Sequence, residues 1–151
     1  SLNYNASFLL KTDYQGIEIW RKIWDQETEK TYGVLDVIKT NDGGFILFCQ
    51  TDPPPYATLI KTDSEGNEER RKKYNDAVGG GTGWIHHTDD GGFFMATGYA
   101  VTKLNPQGMV EWQAACSDCF DKYFNNGKVS GANYDLRPIE GGAVMVGYGW
   151  E

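Results

Sequence analysis

The 151 residues, 16.9 kDa and 40% hydrophobic content suffice for one domain with a core and are too little for two ordinary ones. With 19 glycines and 14% aromatics, the chain has the turns and flat half-buried surfaces of an all-β protein. A net charge of −7, from 21 acidic and 14 basic side chains spread along the length, leaves no basic face for a phosphate backbone. No apolar run is long enough to cross a bilayer as a helix, so neither nucleic acid nor membrane insertion is expected.

Taken in chain order, the first extended run is 7–12, which leads into the turn Asp13-Tyr14-Gln15-Gly16. An Asp-x-x-Gly segment after alternating residues is a hairpin signal. The return strand is expected over 17–24, a third run over 33–40 and a fourth over 44–50, with Asn41-Asp42-Gly43-Gly44-Phe45 turning the chain between the last two. The same order then repeats. Lys61-Thr62-Asp63-Ser64-Glu65-Gly66 precedes runs at 67–74, 82–88 and 92–99, the last after Asp89-Asp90-Gly91-Gly92-Phe93. Lys103-Leu104-Asn105-Pro106-Gln107-Gly108 precedes runs at 109–116, 131–138 and 142–148, the last after Ile139-Glu140-Gly141-Gly142-Ala143.

Two independent markers recurring in one order define an internal repeat. The expected fold is therefore all-β, with three tandem four-stranded antiparallel units at about 7–50, 57–99 and 100–148 in a single domain spanning 1–151. Segment 68–73, Glu-Glu-Arg-Arg-Lys-Lys, has the composition of a helix with opposite charges at i,i+4. Its place after Gly66 equals that of Ile17-Glu18-Ile19-Trp20 after Gly16, so register makes it a charge-guarded edge strand.

The succession Lys-Thr-Asp-x-x-Gly-x-x-x-Trp, followed by Asp-Gly-Gly-aromatic, resembles the blade repeat of secreted bacterial and archaeal β-propellers. Its front half is similar to the tryptophan-docking motif of quinoprotein-like propellers. Asp13, Gly16 and Trp20 match fully, and Asn105, Gly108 and Trp112 match with Asn for Asp. The middle copy keeps Asp63 and Gly66 but has Arg70 in place of Trp. The resemblance implies propeller-type blades and an extracellular or cell-surface setting. It brings no cofactor with it, because the motifs do fold-building work: Asp caps its own turn, Gly takes positive φ, and Trp lies across the neighbouring unit.

Three blades cannot close a ring of the usual four to eight. The chain end at 147–151 would run into 1–8 as 50 runs into 59, so closure is expected from a second copy of the chain or from further blades of a parent chain. A β-trefoil, which closes by itself with three four-stranded units, is the alternative architecture.

Chemistry has few candidates. His86-His87-Thr88-Asp89-Asp90 crowds imidazoles with carboxylates, but adjacent strand residues point to opposite faces, which reads as one surface and one inward histidine. Cys116 and Cys119 have C-x-x-C spacing without the second pair a structural zinc needs, so a local disulfide is the leading reading. Cys49 reads as a small core residue. Asp13, Asp42, Asp63, Asp89 and Asp90 complete no calcium loop. No nucleophile-elbow, phosphate-loop or zinc-hydrolase motif occurs; no catalytic residue, metal or cofactor is expected.

The remaining signal is aromatic. Tyr56, Trp84, Tyr134 and Trp150 lie near predicted strand ends and loops and are the candidate ligand-binding residues. The leading functional expectation is a non-enzymatic extracellular module that makes protein contacts, with itself or with other blades. The alternative is a carbohydrate-binding module that uses these rings.

Overall fold

A computed structural model of the chain describes residues 6–25, 31–51, 56–74, 83–97, 100–115 and 130–150. These residues form strands and tight turns, in two compact units, Ser1–Asn75 and Asp76–Glu151. The first unit holds β1 (Ala6–Thr12), β2 (Glu18–Asp25), β3 (Thr31–Lys39), β4 (Phe45–Thr51), β5 (Tyr56–Thr62) and β6 (Glu68–Tyr74). The second holds β7 (Gly83–His87), β8 (Phe93–Thr97), β9 (Ala100–Leu104), β10 (Val110–Ala115), β11 (Ser130–Ile139) and β12 (Gly142–Trp150).

In the first unit β3-β4-β5-β6 make a four-stranded antiparallel meander and β1-β2 a separate hairpin. The turn after β1 forms because Asp13 Oδ1 accepts the N–H groups of Gln15 and Ile17, both at 2.9 Å, while Gly16 takes φ 84°. Asp63 repeats this on Glu65 and Asn67 at 2.9 and 2.8 Å, with Gly66 at φ 76°. Side chains alternate across each strand, and one face of the meander packs Leu47, Cys49 and Ile60 against Trp24, with Leu9 and Val34 beside them.

In the second unit β10-β9-β8-β7 form the other four-stranded meander and β11-β12 a long hairpin. Asn105 caps its turn as Asp13 does, accepting from Gln107 at 3.0 Å and Met109 at 2.8 Å. Phe94, Ala96 and Val101 make one core cluster, with Trp84 and Ala143 packed against it, and Ile85, Met95 and Leu104 are fully buried as well.

All-β antiparallel architecture is thus observed, and the expected strands stand within two residues of where the sequence puts their ends among the described residues. Segment 68–73 is a strand at the end of its sheet, its charges exposed apart from half-buried Arg71. The grouping differs from expectation. Instead of three four-stranded units there are, among the described residues, two four-stranded and two two-stranded sheets, and each four-stranded sheet begins at the Asp-Gly-Gly hairpin. The span 7–50 therefore straddles two sheets. A side-chain seam ties the strands of Lys61 and Lys103, but not that of Lys11, to the Gly-Gly hairpin preceding them.

Candidate functional site

The seam is built around a buried lysine. Lys61 sits in β5 directly opposite Ile46 of β4, and its ammonium lies 2.8 Å from Asp42 and 2.9 Å from Glu69 while donating to the Thr62 carbonyl at 2.7 Å. Lys103 of β9 repeats the arrangement with Asp90 at 2.8 Å, Glu111 at 3.3 Å and the Leu104 carbonyl at 3.1 Å. Glu69 and Glu111 stand at matching irregularities in the pairing of β6 with β5 and of β10 with β9, where an extra residue is accommodated.

Burial works against the charge on each lysine, but hydrogen bonds to the two carboxylates outweigh it and raise both amines above their ordinary pKa. The partners move the other way. The lysine hydrogen bond, then the Thr40 hydroxyl and the Gly44 N–H, hold Asp42 far below the usual carboxylate range, and Lys103, Thr88 and Gly92 do the same to Asp90.

Glycine at the fourth marker position follows from this packing. A Cβ on Gly44 would stand 2.1 Å from the Thr62 carbonyl oxygen and 2.7 Å from Lys61 Nζ; on Gly92 it would stand 2.3 Å from the Leu104 oxygen and 2.6 Å from Lys103 Nζ. The first glycine of each pair, Gly43 or Gly91, is needed instead for its positive φ, 87° and 79°. The Asp-Gly-Gly marker is therefore half of a strand-joining clamp whose other half is the lysine about nineteen or thirteen residues later.

The first unit also has a tryptophan seat. Trp20 of β2 meets Phe45 edge-on at 6.0 Å between centroids, and its ring lies so close over Gly66 that a Cβ there would come within 2.8 Å. Lys22 reaches Asn67 Oδ1 at 2.8 Å, and the Ser7 hydroxyl accepts from Val34 N–H at 3.2 Å. Trp20 Nε1 is buried without a hydrogen-bond partner among the described residues. Shape, rather than polarity, positions the ring.

In the second unit the corresponding tryptophan, Trp112, leans on Phe94 at 5.6 Å and remains exposed. It borders an open cleft of about 250 Å³ whose floor includes Phe94 and Lys103 and whose rim includes Asp89, Ile139 and Gly142. The two hairpins outside the meanders, β1-β2 and β11-β12, are two-stranded among the described residues. Neither β1 nor β12 has a strand on its second edge among the described residues, and Phe8, Leu10, Ile19 and Ile23 expose apolar surface on β1-β2.

The aromatic candidates fall on four different strands. Trp84, on β7, is half-buried against the Phe94 cluster rather than displayed. Tyr56 lies in β5, Tyr134 in β11 where the pairing register shifts, and Trp150 at the end of β12; their side chains, like Cys116 and Cys119, are outside the described residues. Among the described residues His87 is exposed, and His86 is half-buried and accepts from Arg137 at 3.0 Å. No group of three or more metal-ligating side chains occurs among them. Cys49 is fully buried and its thiol is pushed up to about 12 by burial. Sequence reasoning missed Lys61, Lys103 and their carboxylates as a unit, although the recurring order of an Asp-Gly-Gly turn followed by a Lys-bearing strand was there to be read.

Comparison with protein-family models finds no matching family, and comparison with curated proteins finds no matching relative.

Proposed function

We propose that this chain is a non-enzymatic β-propeller-type module that makes protein contacts, and that its open hairpins are the surfaces of assembly. The single observation behind this reading is the contrast between sheets. Where the Lys61 strand meets its Asp-Gly-Gly hairpin, Ile46, Thr58 and Ile60 are buried; at the same positions of the two hairpins where, among the described residues, that meeting is missing, Val144, Phe8 and Leu10 are exposed. Monomeric proteins rarely leave contiguous apolar edges open, and a free strand edge is a ready template for another chain.

The consecutive order β3-β4-β5-β6, repeated by β7 to β10, supports blades over the hairpin caps of a trefoil. An extracellular or cell-surface setting follows from the resemblance of the repeat to secreted propellers and is proposed on that ground. Light scattering over a dilution series is the test. A mass above 16.9 kDa that falls on dilution is expected; a mass that stays at one chain at every concentration would refute self-assembly.

A second reading, glycan binding, has one supporting observation: the exposed Trp112 ring beside Asp89 and Lys103 in the cleft, a flat apolar face flanked by polar groups. Glycan-array binding lost in Trp112→Ala would favour it.

A further inference from the structure

We propose that the open edge of β12 receives β1 of a second copy of this chain, so that two copies complete each other's two-stranded sheets. This rests on the reading of the chain as an assembly module and specifies its partner and register.

The register comes from the complete sheets. Phe45 lies opposite Thr62 and Phe93 opposite Leu104, each the residue after its Gly-Gly pair against the residue after its lysine. Ala143 and Thr12 hold those two positions here. Ala143 of one copy therefore lies opposite Thr12 of the other, Val144 opposite Lys11, and Met145 opposite Leu10.

Four features of the isolated chain fit that pairing. First, burial: Leu10 is 38% and Phe8 61% exposed, whereas Ile60 and Thr58 at the same positions of the complete sheet are 1% and 2% exposed; Val144 is 55% exposed and its counterpart Ile46 5%. Second, charge: Glu140 occupies the place of Asp42 and Asp90 in its turn and forms no ion pair among the described residues. Lys11 occupies the place of Lys61 and Lys103, with Ile19 where they have Glu69 and Glu111, so Glu140 supplies the one carboxylate this lysine needs. At present its amine lies over the Trp20 ring at 5.5 Å and 3.4 Å from the Ser64 carbonyl.

Third, space: a Cβ on Gly142 meets nothing within 4 Å, although Gly44 and Gly92 are jammed against a strand carbonyl and a lysine. The missing atoms are those of Thr12 and Lys11. Fourth, the tryptophan seat: Gly66 is covered by Trp20, while Gly16 is bare and Trp112 has an open cleft before it. Completing the sheet brings Gly16 of the second copy into the seat that Trp112 lacks. Among the described residues each copy holds two four-stranded and two two-stranded sheets, so two copies paired in this way make six four-stranded sheets, within the four to eight of closed propellers; the interface is head-to-tail and closes after two steps.

The test uses the full 151-residue chain. Light scattering is expected to give twice 16.9 kDa, and Gly142→Ala is expected to abolish the dimer while leaving the single chain folded by circular dichroism. Lys11→Glu or Glu140→Lys alone should weaken association at least about tenfold, and the double exchange should restore it. Mixing Leu10→Cys with Met145→Cys chains should give an oxidised 10–145 cross-link by mass spectrometry, whereas Leu10→Cys with Val146→Cys should not. A dimer lacking that cross-link and indifferent to the charge changes would overturn the register and leave assembly standing. A single-chain mass throughout would overturn both.

Discussion

Replacing Gly44 by alanine tests the clamp at its tightest point. The new methyl would stand 2.1 Å from the Thr62 oxygen, where ordinary contact begins near 3.4 Å, so the β4 and β5 backbones must part by more than 1 Å or Lys61 must leave its carboxylates. Overpacking of this kind costs about 1–3 kcal/mol, and disturbing a hydrogen-bonded ammonium adds about 1.5 kcal/mol. Alanine's lower unfolded-state entropy returns about 0.5 kcal/mol. The net expectation is a loss of about 3 kcal/mol, roughly a hundredfold in the folding equilibrium. Urea unfolding followed by tryptophan fluorescence measures it, with Gly33→Ala as control. A Cβ on Gly33 meets nothing within 4 Å, and its backbone needs no positive φ, so the control should be neutral or stabilised by about 0.5 kcal/mol. A Gly44→Ala protein within about 0.5 kcal/mol of the control would refute the clamp.

Three further outcomes are expected. Asp42 and Asp90 have folded pKa values below the unfolded value of 3.8, so the stability they contribute is present above about pH 4 and is lost as pH falls through their lowered values; the urea midpoint of Asp42→Asn/Asp90→Asn should fall less than that of the parent between about pH 4 and pH 2. Cys49, buried and with its thiol at about 12, should resist alkylation at pH 8 in the folded protein and react at once when unfolded; equal rates by intact mass would refute its place in the core. Trp20→Ala should cost about 2–3 kcal/mol by urea unfolding, because the ring covers Gly66 and Phe45. Trp112→Ala, removing a ring that is 45% exposed, should cost about 1 kcal/mol in the single chain. Equal costs would show that Trp20 has no special seat.

Much of the fold was legible because its signals are local. An Asp or Asn capping its own turn and a glycine at positive φ three residues later act within one hairpin, so residues 13–16, 63–66 and 105–108 announced themselves. The strand at 68–73 was legible by register alone, against its helical composition. The binding candidates were legible only as residue types. Trp84 is half-buried against Phe94 and Trp112 is exposed, since exposure depends on which strands pack beside a ring and not on the residue itself.

Sequence alone thus determined the strands, their turns and the threefold recurrence of two markers, because each depends on a few bonds between residues close along the chain. Which hairpins join into one sheet was decided by tertiary structure: Lys61 must find Asp42 across the preceding turn, and Lys103 must find Asp90, before a hairpin has a neighbour. A buried ammonium is tolerated where a carboxylate and the glycine that makes room for it arrive together, and that meeting joins the sheets from Thr31 to Tyr74 and from Gly83 to Ala115.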